Sequence, residues 1–494
     1  MTTTFGVITD RLAETGVLVS RPPSEADSIE ITGITTDSRQ VVAGSLFCAI
    51  RGTAGDGHSF LGTAAAGGAV AALVEEATPG VVLPLAVVSN GRRAAAHAAA
   101  AFYDDPWSRL KLIGVTGTNG KTTTVSILRH LLSGTFPAAS IGTLGVIGAD
   151  GKPVPGTEGL TTPGPVQFAH DLRTLVDQGV GGVAVEVSSH ALDQDRVIAA
   201  HFAAAIFTNL SRDHLDYHGT FEAYRAAKLK LADLVSPSGV LAVNADEPAW
   251  SGLRREGVHL VRFGIEGRGE VQAEGIRYTP GGTEWHLATP SCTSPITMPL
   301  FGSYNIHNAL GAAAALWGLG WTADQIAERL ATIDQVPGRL ERLSTDTGAP
   351  ILIDFAHTPD ALERALGAVR PFARGRLIVV FGAGGDRDRG KRPEMGAVAA
   401  AHADLSIVTS DNPRTEDPAA IADAIEEGMG AAPRERVLDR RAAIARAIEI
   451  AGADDVILLA GKGHETYQIW GEEYRPFDER QIVREILDER MAQP

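Results

Sequence analysis

The chain has 494 residues, 44% of them apolar, with a formal net charge of −16 and two cysteines. At roughly 150 residues per domain that length holds about three domains, and a mean hydropathy near zero describes a soluble globular protein with ample core material. The negative field opposes nucleic-acid and anionic-membrane binding, no apolar run reaches the roughly 18 residues of a membrane helix, and Cys48 and Cys292 stand in no metal-type spacing.

The N-terminal "MTTTFGVITDRLAETG" lacks a basic start followed by an apolar run, so no secretion signal is expected. The absence of a disulfide framework suits a reducing cytoplasm, the expected location. Residues 1–108 read as a small α/β unit. Strand-like runs in "ITGITTDSRQVVAGSLFCAI" are followed by a helix and short strand in "LGTAAAGGAVAALVEE". A helix in "GRRAAAHAAAAFYDDP" ends before Pro106. From about residue 109, short apolar strands alternate with helices: "LKLIGVTG", "KTTTVSILRHLL", "GGVAVEVSS", "AAAIFTNL" and "GVLAVNADE". Such strands imply a parallel sheet covered on both faces. A break near "DQVPGRLE" separates this region, 109–336, from a second α/β sheet over 337–494, read from "PILIDFAHTPDALERAL", "GRLIVVFGAGGDRDRG", "LSIVTSDNP" and "DVILLAGKGHE". In both sheets the Gly-rich polar segments follow the strands, where ligands of such folds bind.

The segment "GVTGTNGKTTT", 114–124, joins a strand to a helix. Gly117 and Gly120 permit close backbone approach to phosphate, and Thr118, Asn119 and Thr123 lie in the same loop and first turn. The helix N-terminus adds N–H donors and a favourable dipole. Lys121 reaches the outer phosphates and Thr122 ligates Mg²⁺. The common template wants Gly where this chain has Val115, so the loop is a variant. It predicts nucleoside triphosphate binding and leaves the reaction open.

Glu186 ends the apolar run "VAVE", and a charge at the end of a buried strand points to metal ligation. His214 in "SRDHLDYHG" is a candidate partner, although spacing alone serves a structural histidine as well. Lys228 lies in "FEAYRAAKLKLADLV", where it reads as an ordinary helix lysine, and Lys230 has an equal local claim to any special role.

Taken in order, the phosphate loop, "TTPGP", "VEVSSHAL", "FTNLSRDHLDYHG", "AAKLKLA", "GSYNIHNAL", "PGRLE" and "DFAHTPDAL" resemble the Mur ligases of bacterial cell-wall synthesis over nearly the full length. The resemblance implies three domains: an N-terminal UDP-substrate domain, a central ATPase domain with a P-loop-type parallel sheet, and a C-terminal Rossmann-like domain bringing the amino acid. It implies that ATP phosphorylates the terminal carboxylate of a UDP-linked dipeptide and that an amine attacks the acyl phosphate, releasing ADP and phosphate. Phosphate leaves easily where a free carboxylate oxygen does not, and the crowded negative charge calls for metal and fixed cations.

By the same resemblance Glu186, His214 and an N-carboxylated Lys228 hold Mg²⁺ with Thr122. Carbamylation requires a neutral amine, so desolvation or nearby cations must lower a pKa of about 10.4. Asn305 and His307 match positions around adenine, and Arg339 and Asp354 match nucleotide contacts. Thr36, Ser38, Thr53, Ala54 and Gly55 match uridine-binding segments. Thr161, Thr162, Ser188, Gln194 and Arg196 match positions for the sugar-peptide part, although Leu160 departs from a pattern that often has Asn there.

"SDNPRTEDP", 410–418, resembles the signature of the members that add meso-2,6-diaminopimelate to UDP-N-acetylmuramoyl-L-alanyl-D-glutamate. Arg414 suits the far carboxylate of that amino acid, since guanidinium matches it bidentately. Asp411 and Asn412, beside Pro413, offer acceptors for ammonium, and Arg387, Gly461 and Glu465 complete the implied site. Lysine would leave the arginine unpaired. The lysine-adding form, the D-alanyl-D-alanine-adding ligase and folylpolyglutamate synthase are rivals within the superfamily, and a non-catalytic ATP switch is a rival outside it. A monomer with small-molecule partners only is expected.

Overall fold

The structure, a computed structural model, describes residues 1–52, 55–77, 80–279, 281–343 and 348–491. It is α/β, and it divides into two compact units: 1–271 with 310–322, and 272–309 with 323–494.

The first unit opens on a five-stranded sheet in the order Leu18–Ser20, Leu85–Val88, Ala69–Val74, Ser45–Cys48, Gly33–Thr35, parallel except for the first pair. The Ala-rich helix Gly91–Phe102 is capped by Asn90, whose side chain accepts from the N–H groups of Arg92 and Arg93. Its small side chains allow close packing against the helices Phe5–Glu14 and Pro165–Asp177.

Six parallel strands follow in the spatial order Ala138–Gly142, Gly182–Glu186, Lys111–Thr116, Phe202–Phe207, Val235–Asn244, His259–Gly264. Apolar residues fill these strands because both faces are covered. The strand Lys111–Thr116 is earliest in the chain yet lies third in space. The next two strands lie to one side of it and the last three to the other, so the direction of winding reverses at its carboxyl end. A crevice at such a reversal is where open α/β sheets bind ligands.

The second unit contains an antiparallel meander, Val271–Thr279, Gly282–Ala288 and Thr293–Met298, and a six-stranded sheet. The latter runs Glu341–Leu343, Ile351–Asp354, Val456–Ala460, Leu377–Phe381, Leu405–Val408, Arg434–Arg436, with only the first pair antiparallel. Its two faces carry separate apolar clusters. Asp354, Gly461, Gly384 and Asp411 all lie at or just beyond the carboxyl ends of adjacent strands.

Candidate active site

Within the first unit, the phosphate loop leaves the central strand after Thr116. Val115 is still in the strand, paired with Glu186 and Ile206 and fully buried. The template glycine has no role at a position that never turns. Gly117 does turn, at φ +150°, and a β-carbon there would lie 1.9 Å from Thr208 Oγ1. The loop is pinned from the neighbouring strand end. Thr118 N–H donates to Asn209 O (2.8 Å), Asn119 N–H donates to Asn209 Oδ1 (2.9 Å), and Thr208 Oγ1 donates to Asn119 O (2.7 Å). Gly120 is left-handed, and the helix Lys121–Leu132 has no side-chain cap. Thr122 and Thr123 are buried in its first turn.

Lys121 Nζ folds back onto the carbonyls of Gly117 (2.9 Å) and Thr118 (2.7 Å). Lys228 Nζ donates to the same Gly117 carbonyl at 2.8 Å. The helix Phe221–Asp233 is capped by Thr220 and buries the stripe Tyr224, Ala227, Lys228, Leu231. Lys228 therefore points inward, 4.5 Å from the Tyr224 ring centroid. Burial first, then the Lys121 charge, pushes its amine well below the ordinary lysine value. Lys230 lies off that stripe, half-exposed and paired with Asp193 at 3.1 Å.

Glu186 is buried at the end of its strand. Its carboxylate accepts from Thr143 N–H (3.0 Å) and Thr143 Oγ1 (3.2 Å), and Thr143 Oγ1 also donates to Thr161 Oγ1 (3.3 Å). Thr162 Oγ1 donates to the Glu186 carbonyl (2.8 Å) and accepts from Ser188 N–H (3.0 Å). Arg196 donates to Thr162 O (2.8 Å) and to Gln194 Oε1 (2.8 Å). The structure thus joins Thr161, Thr162, Glu186, Ser188, Gln194 and Arg196 in one network. Leu160, beside it, is exposed.

His214 has φ +53°, and its ring stands 4.8 Å from that of His190. His190 also stacks near Tyr217 and His218, an aromatic and imidazole cluster that the sequence reading passes over. His214 makes no direct bond to Glu186. Among the described residues no three His, Cys, Asp or Glu side chains form a group able to hold a metal. Thr36 is exposed, Ser38 begins a short 3-10 turn capped by Asp37, and Gly55 is exposed. Thr53 and Ala54 lie outside the described residues.

Within the second unit, Asn305 turns inward. Its amide donates to Phe301 O (2.8 Å) and accepts from Asn308 (3.0 Å). His307, two residues on, lines a cavity of about 320 Å³ with Tyr278, Ser303, Tyr304 and Arg364. Asp354 is buried and accepts from the N–H groups of Leu340 and Ala356, both at 2.8 Å. Burial raises its carboxyl above the ordinary aspartate value, opposed by Arg339 and those two N–H groups. Arg339 stacks over Phe355 at 5.0 Å.

Also in the second unit, the loops at 384–387, 411–414 and 461–465 converge. A β-carbon on Gly384 would lie 3.0 Å from Arg414 Nη1 and 3.7 Å from Arg387 Cγ. Arg414, at φ +51°, donates through Nη1 to Gly385 O (2.8 Å), while its backbone bonds to Ile469 and Gly471. A β-carbon on Gly461 would sit 2.6 Å from Asp411 Oδ2. Asn412 Nδ2 donates to Glu465 Oε2 (3.0 Å). Pro413 is buried and Arg387 is exposed. At the centre lies Lys462, fully buried, which the sequence reading passes over although it interrupts two glycines after an apolar strand.

Known proteins resemble the chain along its length. Residues 30–104 match the Mur ligase family catalytic domain, 115–316 the Mur ligase middle domain, and 338–463 the Mur ligase glutamate ligase domain. The UDP-N-acetylmuramoyl-L-alanyl-D-glutamate–2,6-diaminopimelate ligase of Geobacillus kaustophilus is 44% identical over 471 residues, 93% of this chain and 96% of that one. The ligase of that name from Gloeobacter violaceus is 42% identical over 487 residues, 97% and 98% of the two chains. A solved structure of a ligase of that name aligns at a TM-score of 0.71 and 30% identity over 100% of both chains. The MurF ligase of Thermotoga maritima in complex with ADP shares the fold, at a TM-score of 0.64 and 20% identity over 92% of this chain and 98% of its own.

Proposed function

The chain belongs to the Mur ligase family, and from that premise we propose that it joins meso-2,6-diaminopimelate to UDP-N-acetylmuramoyl-L-alanyl-D-glutamate at the expense of ATP, in the cytoplasm, during peptidoglycan precursor synthesis. The observation that carries the choice of amino acid is that Arg414 and Arg387 both lie against Gly384, while Asp411 and Glu465, joined through Lys462, lie on the adjoining loops. Diaminopimelate presents a carboxylate and an ammonium together at its far end, and this surface offers a partner to each.

The phosphate loop supplies the activating half. Its N–H groups and the uncapped helix receive the phosphates, and Lys121 exchanges two loop carbonyls for the outer phosphate oxygens. The dipeptide carboxylate attacks the terminal phosphorus and ADP departs. The amine then attacks the acyl carbon, and the tetrahedral adduct collapses to amide and inorganic phosphate. The polar network from Thr161 to Arg196 is where we place the sugar-peptide. Arg339, Asp354 and His307 serve the nucleotide. Asn305 serves it by fixing the helix turn that carries His307, since its own amide is already bonded.

We assign Mg²⁺ to this site on the donor types present, although the carboxylate and imidazole alone do not make a complete set. Thr122, Glu186 and His214 would hold it, and the further anionic ligand would come from Lys228: burial lowers its amine, and in its neutral form that amine adds CO₂ and loses a proton to give a carbamate. Bound there, the ion would neutralise phosphate charge as phosphorus changes partners. The Gly117 carbonyl orients Lys228 Nζ, and the Lys121 charge disfavours protonation there.

The test is ADP release by the full chain with ATP, Mg²⁺ and the UDP-dipeptide, with diaminopimelate, lysine or D-alanyl-D-alanine as acceptor. Product mass is read in parallel. Release with diaminopimelate alone, with the matching mass increase, is expected. Preferential use of lysine would replace this reading with the lysine-adding one.

A further inference from the structure

We infer that Lys462 is a positioning residue for the acceptor amino acid: it sets how many carboxylate oxygens, in what orientation, are left for the ammonium of the incoming head group. This rests on the function proposed above and concerns a residue to which that reading gives no role. Lys462 is 0% exposed and its ammonium is turned to protein acceptors. Its three N–H donors face three acceptors: Glu465 Oε2 at 2.7 Å, Asn412 Oδ1 at 2.8 Å and Asp411 Oδ1 at 3.5 Å.

Asn412 closes the ring by donating to Glu465 Oε2 (3.0 Å), while its carbonyl oxygen also accepts from Ile469 N–H (3.0 Å). An ammonium has no acceptor to offer, so it fixes which end of the Asn412 amide faces it. Each carboxylate commits one oxygen to Lys462. Glu465 Oε1 and Asp411 Oδ2 remain, the latter close against Gly461, where any side chain would collide with it. Two carboxylates and one ammonium leave a single surplus negative charge, the complement of one substrate ammonium. Without Lys462 the surplus is two, and the neighbouring carboxylates repel each other.

Removing one member of a buried charged pair weakens binding by about thirtyfold or more. A general loss of packing would weaken every substrate, whereas a loss of this local charge balance weakens the amino acid alone. The groups acting on Asp411 are Lys462, Arg440, His357 and Lys391, with Glu465 and Tyr467 beside them. Burial works to raise the Asp411 carboxyl; Lys462, and after it Arg440, His357 and Lys391, overcome it. With Lys462 gone, Asp411 takes up a proton more readily and gives up an acceptor.

The experiment measures KM for diaminopimelate and for ATP, and kcat, at neutral pH in the full chain, for wild type and Lys462→Met. We expect the diaminopimelate KM to rise at least about thirtyfold at neutral pH, with the ATP KM within about twofold. A wild-type diaminopimelate KM in the variant, or an ATP KM that rises with it, overturns the inference. Should Lys462→Met fail to fold, the double variant Lys462→Met, Glu465→Gln removes both ends of the pair. Its KM should stay within about threefold of that for Glu465→Gln alone, and a full multiplication of effects overturns the inference. A wild-type chain that releases ADP with no dependence on diaminopimelate sinks the functional reading and this one with it.

Discussion

Two lysines two residues apart behave oppositely because of where the helix turns them. Lys228 lies in the apolar stripe and donates to the phosphate loop, whereas Lys230 sits at the surface on Asp193. Lys230→Ala should leave turnover within about twofold, since exposed pairs contribute roughly 0–1 kcal/mol. Lys228→Ala should cut kcat at least about a hundredfold with ATP affinity little changed, the size of loss seen when one preorganised group at a reacting centre is removed. Steady-state kinetics with a nucleotide-binding titration checks both. Arg414→Ala should lower kcat/KM for diaminopimelate by roughly thirtyfold to several thousandfold, the range for one half of a buried charged pair. Lysine should gain nothing, because Asp411 and Arg387 remain arranged for the larger zwitterion. Amino-acid-dependent ADP release for both substrates decides it.

At the scale of elements, loops at strand ends hold the chemistry, and each is fixed by a partner far away in sequence. Glu416 is an example. It accepts from Asp386 N–H (2.6 Å) and from Arg392 (2.8 Å), tying the 384–387 loop to the segment after Arg414. Arg392 and that N–H hold its carboxyl down to about 2, from an ordinary 4.5. A carboxyl with a lowered folded-state pKa stabilises fully above its unfolded value and loses that contribution as pH falls through the folded one. The stability gap between wild type and Glu416→Gln should therefore be constant above pH 4.5, shrink below it and vanish under about pH 2. Acid titrations followed by near-ultraviolet circular dichroism measure it. Such long-range ties limit what the sequence discloses. Continuous apolar runs ending in Glu186 or Asp354 are readable, because a charge after a buried strand stands out. The phosphate loop is readable because glycine, lysine and threonine keep their spacing. Thr208 and Asn209, which pin that loop from about ninety residues away, have no local signature. Lys462 has one, but a lysine between glycines reads as a turn until its three acceptors are seen. The meander Val271–Met298 is short, polar on one face and easily passed over.

For the whole molecule, the two compact units have apolar clusters of their own. Calorimetry should resolve two unfolding transitions. Diaminopimelate alone should raise only the one belonging to the second unit, by about 2.7 kcal/mol at a hundredfold excess over Kd. A single transition that moves as a whole would show that the units unfold together. The placement of chemistry along the carboxyl ends of both parallel sheets has a practical corollary. At the opposite rims the chain enters the strands, and the turns at Gln178–Gly179 and Gly430–Ala431 are exposed there. A short affinity handle or fluorescent reporter inserted at either turn should leave ligation at wild-type levels, whereas the same insert between Asp386 and Arg387 should silence it. The enzyme thus offers two attachment points from which its catalytic cycle can be watched without being disturbed.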